Sequence, residues 1–430
     1  MNLPYAEVEF DRKGAAVRPQ EVTDAGALLA AEKATDVIVM THGWNNTFDS
    51  ARALYEGIAA SLTAVRGSVP RAAGRRIVVI GALWPSILWA PDDKGGGGGA
   101  SLAAGDDSAE ALRALIGEQI EDPKRRDELQ ALVGELENSA AARARFVELL
   151  RKKLPKGAVD DDDPDSAPVA LITADPETLF DAAGGGDGLG ASDAGAGGAA
   201  DVGPLGADPS FGGGAGFSLG GLLDAARNVV NVTTYYTMKE RAGVVGTKGI
   251  APLLNALHKA APSARLHLVG HSFGGRAVTA AALATTAPVS SVSLLQAAYS
   301  HYGMAQGWDG AQANGVFFMV PAKVDGPVIV TFTKNDKAVG LAYPVASRIA
   351  RQIGVGLGDA DDKYGGIGRN GALKTPASLP VVKLQDVGGD YAFAKGRVSS
   401  LEATAFVKGH SDIAGRQVAY AVLTAVSTTG

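Results

Sequence analysis

The chain alternates between short apolar runs and longer stretches in which apolar residues recur every three or four positions. Four runs stand out: DVIVMTHGW (36–44), RIVVIGALWPS (76–86), RLHLVGHS (265–272) and PVIVTFTKND (327–336). Each is continuous, of strand length and closed by polar or glycine residues, the pattern of strands buried on both faces of a largely parallel sheet. YAEVEFD (5–11) alternates like an edge strand, SVSLLQAAY (291–299) reads as a further strand and SLPVVKLQDV (378–387) as a late one. Between them, DSARALYEGIAASLTAV (49–65) spaces Leu54, Ile58 and Leu62 at helical intervals, with Asp49 or Ser50 as its N-cap. GTKGIAPLLNALHKAAP (246–262), GGRAVTAAALATT (274–286) and SDIAGRQVAYAVLTAV (411–426) read as helices too, the last capped by Ser411. Strand and helix thus alternate, which predicts an α/β fold: a doubly wound, mostly parallel sheet with helices on both faces.

The alternation fails between Trp89 and about Phe217. GGGGG (95–99), DDDDPD (160–165) and GGGDGLGASDAGAGGAADVG (184–203) carry too little apolar surface to offset the entropy of ordering, so flexible linkers are expected there. Their Asp and Gly spacing fits neither a helix-loop-helix calcium loop nor a nonapeptide repeat. Residues 108–154, with leucines at three- and four-residue spacing and few β-branched residues, predict two or three short helices. The expected organisation is a core of residues 1–90 and 218–430, interrupted at 91–217 by linkers and a small helical cap or side domain.

Composition narrows the chemistry. The 430 residues are 46% hydrophobic and 20% charged, with a formal charge of -6, so no broad basic face for nucleic acid or anionic lipid is indicated. There is no cysteine, which excludes disulfides, thiolate nucleophiles and cysteine-ligated zinc. The first residues, MNLPYAEVEFDRKG, lack the basic start and unbroken apolar core of a signal peptide. The longest apolar window, 277–299, is interrupted by Pro288 and hydroxyl residues and reads as helix, turn and strand. A cytoplasmic protein without integral membrane association is expected, its partner a small neutral molecule.

The stretch GHSFG (270–274) satisfies G-x-S-x-G. By itself the pattern is weak, but here a strand precedes it and a small-residue helix follows, the setting in which a serine on a sharp turn projects its hydroxyl as a nucleophile. A serine needs a base to take its proton. Of the six histidines, His258 lies near a helix end, His267 and His271 are held by the strand and the turn, and His42 follows another strand. In sheets of this class nucleophile, acid and base follow successive strands in the order Ser, Asp or Glu, His. That order selects His410, in KGHSDI, over His301, which is assigned to the pocket wall. Asp336 closes PVIVTFTKND and is the preferred acid, with Asp386 its main competitor. The two oxyanion donors are expected from the backbone N–H of Phe273 and from the loop THGWNN (41–46), where Gly43 allows close approach and the Trp44 N–H turns inward. His42 is given a packing and hydrogen-bonding role beside them.

Together THGWNNTFDSA, LWPS (83–86), LVGHSFGGRAV and KGHSDI resemble the α/β-hydrolase superfamily, and within it a bacterial branch of uncharacterised serine hydrolases with HGW or HGYNN and WPS motifs. The resemblance covers about 1–90 and 218–430. It implies an α/β-hydrolase fold and a cofactor-free serine hydrolase without a metal, with Ser272 as nucleophile, His410 as base, Asp336 as acid and Trp44 and Phe273 as oxyanion donors. The pocket walls would come from His42, Gly43, Asn45, Trp84, Tyr299 and His301, joined by Tyr235 or Tyr236. Lys239 and Arg241 are expected at the solvated surface. Aromatic walls suit an acyl group, so the leading expectation is cleavage of small or medium carboxylic esters. Amide, peptide or lipid-ester cleavage by the same residues, and a non-catalytic binding module on this fold, stand as alternatives.

Overall fold

The computed structural model describes residues 3–86, 109–155, 167–184, 219–310, 312–336 and 365–429. The glycine run at 95–99, the aspartate run at 160–165 and nearly all of the stretch 184–203 lie outside the described residues.

Among the described residues eight strands form one sheet: β1 (Tyr5–Glu9), β2 (Asp36–Thr41), β3 (Ile77–Leu83), β4 (Arg265–His271), β5 (Val289–Leu295), β6 (Val328–Phe332), β7 (Val382–Lys383) and β8 (Val398–Glu402). Their order is β1-β3-β2-β4-β5-β6-β8-β7, and every pairing is parallel. The continuous apolar runs are explained by two cores, one on each face. On β2, Val37 and Val39 enter one core while Ile38 and Met40 enter the other. A strand covered on both sides has no polar face to show in its sequence.

Helices α1 (Pro19–Ala31), α8 (Leu219–Val245), α9 (Ala251–Ala260) and α10 (Phe273–Ala284) cover the first face. Helix α2 (Phe48–Val65) and the C-terminal helix Arg416–Thr428 pack together on the second. The C-terminal helix buries Val418, Val422, Leu423 and Val426 there, each contributing about 1.5–3 kcal/mol of apolar transfer free energy. Between β3 and α8 the chain forms α3 (Ala109–Gln119), α4 (Pro123–Leu132), α5 (Ala140–Arg151), α6 (Val169–Thr173) and α7 (Pro176–Gly184). Asp122 and Ser139 cap α4 and α5 by accepting the amides of Arg125 and Ala142. Leu112, Leu115, Phe146, Leu150 and Phe180 join the same apolar cluster as the first face of the sheet, with α8 as the intermediary between α3, α5, α7 and α10. No helix among the described residues is long and apolar enough to cross a membrane.

Several local expectations need correction. Helix α2 is capped by Thr47, whose side chain accepts the Ser50 amide, and not by Asp49 or Ser50. The C-terminal helix starts at Arg416 behind Gly415, without a side-chain cap; Ser411 lies in the preceding turns, where its carbonyl accepts the Ile413 amide. Of the run 378–387 only Val382–Lys383 forms a strand, besides an isolated parallel bridge from Ser378 to Val398, and Val381 and Val382 are exposed, as befits an edge. The adjoining inner strand is β8, whose sequence VSSLE hides its burial because Ser399 and Ser400 are buried serines. The segment expected as one helix at 246–262 divides into a π-turn at Gly246–Ile250 and α9.

Candidate active site

Strand order places the site. Successive strands β2 and β3 run toward one edge, whereas β4 returns to the other side of β2, so the order reverses between β2 and β4. Loops diverge at such a reversal and leave a crevice beyond the carboxyl ends of the strands. Thr41 pairs with Gly270 in register, so His42–Asn46 and His271–Ser272 leave the sheet side by side.

Ser272 sits at φ 54° and ψ −126° between β4 and α10. This is a strained conformation for a residue with a side chain, at a cost of about 1–3 kcal/mol. The bend closes only because its flanks are bare. A Cβ on Gly270 would stand 2.4 Å from the Gly274 carbonyl oxygen, and one on Gly274 would stand 2.2 Å from the Thr41 carbonyl oxygen. Gly43, in the loop after β2, is equally constrained, since a Cβ there would lie 2.6 Å from Ser272 Cβ. The backbone N–H groups of Trp44 and Phe273 carry no hydrogen bond among the described residues, and Phe273 opens α10, where helix amides lack an internal acceptor.

A set of hydrogen bonds fixes the loop after β2. His42 is fully buried and burial pushes its pKa down to about 4. The neutral ring donates Nδ1–H to the Gly43 carbonyl at 2.9 Å and accepts the Trp84 amide on Nε2 at 3.2 Å. Trp84 stacks on it and returns its indole N–H to the His42 carbonyl at 3.0 Å. Asn45, at φ 59°, donates its amide to the Ser86 carbonyl. Two residues not singled out from the sequence complete the clamp. Asn46 donates its amide to Ser86 Oγ and its side-chain N–H to the carbonyls of Gly43 and Trp44, and Ser86 Oγ donates to the Asn46 carbonyl. The NN and WPS stretches were the available signal, since both carry short polar side chains after a strand.

Asp336 follows β6, is wholly buried and places Oδ2 2.8 Å from Nδ1 of His410. His410 follows β8, and its ring lies 4.8 Å from that of His271, the residue before Ser272. Asn335 supports the arrangement by donating its side-chain N–H to the carbonyls of Thr404 and Val407, tying the β6 and β8 loops together. Asp386 is exposed and engages the Val387 amide and Gln417, so it is Asp336 that meets the imidazole. His301 is fully buried with Nδ1 3.0 Å from Asn370 Nδ2, and Tyr299 is fully buried with its ring edge-on to Phe317.

An aromatic cluster adjoins the bend: Phe273, next to Ser272, packs against Trp44 and against Tyr235 of α8, which contacts Tyr236. The expectation that Lys239 and Arg241 are solvated is wrong. Lys239 is buried with its ammonium 5.0 Å from the Tyr236 ring centre, and Arg241 is buried against Glu121 at 2.6 Å and the Pro85 carbonyl at 3.0 Å. Helix α8 is enclosed on most sides, so side chains pointing in different directions from it are both buried, which a helix unseen in the sequence could not reveal. Among the described residues no group of three or more His, Asp or Glu is placed to hold a metal ion. Comparison with family models, with curated proteins and with solved structures finds no match to this chain.

Proposed function

We propose that the protein is a serine hydrolase of the α/β-hydrolase type that cleaves small or medium carboxylic esters through an acyl-enzyme. His410 Nε2 takes the proton of Ser272 Oγ as the oxygen attacks the ester carbonyl, and Asp336 holds Nδ1–H and stabilises the imidazolium. The Trp44 and Phe273 amides receive the oxyanion. The proton passes to the departing alcohol, and water activated by His410 then frees the acid and restores the serine.

The observation that carries this reading is the contact of the buried Asp336 carboxylate with His410, whose ring lies 4.8 Å from that of His271, the residue before a serine held at positive φ on a strand-to-helix bend. His410 sits on an accessible loop, and the base–serine hydrogen bond of such sites commonly tightens only with substrate. The aromatic cluster of Trp44, Phe273 and Tyr235 favours an apolar acyl group. Arg241, already engaged by Glu121, makes a phosphate substrate the poorer fit. The resemblance of THGWNN, LWPS and GHSFGG to α/β-hydrolases supports the same conclusion.

The test is treatment of the purified chain with a fluorophosphonate serine probe and a series of p-nitrophenyl acyl esters. Labelling and turnover by the wild type, both lost in Ser272→Ala, are expected. A wild type inert to the probe and to every ester would overturn the proposal.

A further inference from the structure

His271 occupies the second position of G-x-S-x-G, where the backbone bend asks nothing of the side chain. It is the last residue of β4 and pairs with Leu295, so the sheet fixes its position. Its ring is buried beneath the site, tilted against that of His410, with Nε2 2.9 Å from the His410 backbone carbonyl oxygen. A carbonyl only accepts, so Nε2 carries the proton and Nδ1 the lone pair. Burial, with His410 and His42 nearby, pushes the pKa down to about 3, and the ring stays neutral over the working range.

We propose that His271 is a positioning residue for His410, holding the main chain of the base through its Nε2–H so that the imidazole faces Ser272. The inference rests on the hydrolase reading above. The His410 loop is fastened at its start, where the Val407 carbonyl accepts from Asn335, and by the bond from the Lys408 amide to Asp412. Among the described residues His410 itself makes two hydrogen bonds, its Nδ1 donating to Asp336 and its carbonyl accepting from His271. No backbone amide among the described residues reaches that carbonyl. One contact alone would leave the ring free to pivot about the Asp336 bond. Two contacts, on the ring and on the main chain, fix the direction of Nε2.

Stability does not account for this histidine. Nδ1 is buried with no hydrogen-bond partner among the described residues, and it lies 3.4 Å from where a Cβ on Gly43 would stand. A buried acceptor left unpaired is unfavourable, and an apolar side chain of similar size would avoid it. A residue that weakens the fold locally while joining the nucleophile's strand to the base's loop has the character of one placed for function.

The experiment compares His271→Leu and His271→Gln in the full chain. Glutamine keeps an N–H donor directed as Nε2–H is, whereas leucine removes it. In His271→Leu, kcat on a p-nitrophenyl ester and the rate of fluorophosphonate labelling should fall on the order of 100-fold, as for a misplaced catalytic group. KM should stay near the wild-type value, the melting temperature should not drop, and amide hydrogen exchange at 408–413 should quicken. His271→Gln should recover most of the loss and restore slow exchange. Wild-type kcat and exchange in His271→Leu, or a glutamine variant as impaired as leucine, would overturn the proposal. A wild type that is never labelled removes the hydrolase reading itself. Exchange then decides alone: a quickening in the leucine variant that glutamine reverses upholds the tether, and no change removes it.

Discussion

Asp336 and His410 meet at 2.8 Å although 74 residues separate them in sequence, and the carboxylate is wholly buried. The contact joins the ends of two neighbouring strands, β6 and β8. In an acyl-transfer site such a carboxylate fixes the imidazole tautomer and stabilises the imidazolium. Asp336→Asn keeps the shape but offers an amide in place of the charge, so kcat on an activated ester should fall about 10⁴-fold. Asp386→Asn, on the exposed loop after β7, should leave kcat unchanged. Steady-state kinetics of the two variants decides between the acids, and the reverse ranking would reject Asp336.

Gly43 makes a separate prediction. A methyl group there would press on Ser272 Cβ at 2.6 Å, backbone-bound on both sides, so the loop must retreat from the serine. Retreat moves the Trp44 amide off the position proposed for the oxyanion. Gly43→Ala should therefore lose about 10²–10³ in kcat, the magnitude for one oxyanion donor, while the folded chain still carries Ser272. Active-site titration with a slow acylating agent separates a slowed site from an unfolded one.

What could be read beforehand follows from which physics is local. Strands β2, β3, β4 and β6 were legible because burial on both faces writes itself as continuous, largely apolar runs. The elbow was legible because steric closure at Gly270 and Gly274 admits no other residue, and strand order then led to His410 and Asp336. Strand β8 was missed because Ser399 and Ser400 are buried polar residues, whose burial depends on tertiary partners and not on sequence period. The same holds for His271, which looked merely confined by the turn, and for Asn46 and Ser86: each acts through a hydrogen bond to a segment distant in sequence. Helix α8 was missed as an element, so burial of Lys239 and Arg241 had no signal.

At the other end of the sheet, Asp36 is wholly buried and bonded by Arg75 at 2.7 Å, Arg265 at 2.9 Å and His267 at 3.1 Å. Arg75 also donates to the carbonyls of Val426, Ser427 and Thr429, so the cluster latches the end of the C-terminal helix to the sheet. Removing one member of a buried ionic set strands the others, at a cost of about 3–5 kcal/mol. Arg75→Met should destabilise by roughly that amount in urea unfolding with kcat unaltered, because the cluster lies at the amino ends of β2 and β4, remote from Ser272. A stable variant with lowered kcat would show that the two ends of the sheet are coupled.

Three buried histidines give the fold a pH dependence of definite sign. His42 is pushed down to about 4 and His271 to about 3, both chiefly by burial, and burial also lowers His267 despite Asp36 beside it. In the unfolded chain each titrates near 6.5. Above that pH both states are neutral and nothing is lost. Below it the unfolded state takes up protons that the native state refuses, so stability falls with pH by up to about 1.4 kcal/mol per unit for each group. His42 and His271 together should therefore cost about 3 kcal/mol between pH about 7.5 and about 5.5, with His267 adding in the same direction. Asp36 reinforces this only at lower pH. Burial favours its neutral form, but hydrogen bonds from His267, Thr35 and Arg265 prevail and hold its pKa well below normal, so its contribution is full above about 4 and fades beneath. Urea unfolding across this range measures the slope, and His271→Leu should remove about half of the part due to His42 and His271. A stability independent of pH from about 7.5 to about 5.5 would mean that the native imidazoles accept protons where they stand, against their burial and against the neutral His271 on which the His410 tether depends.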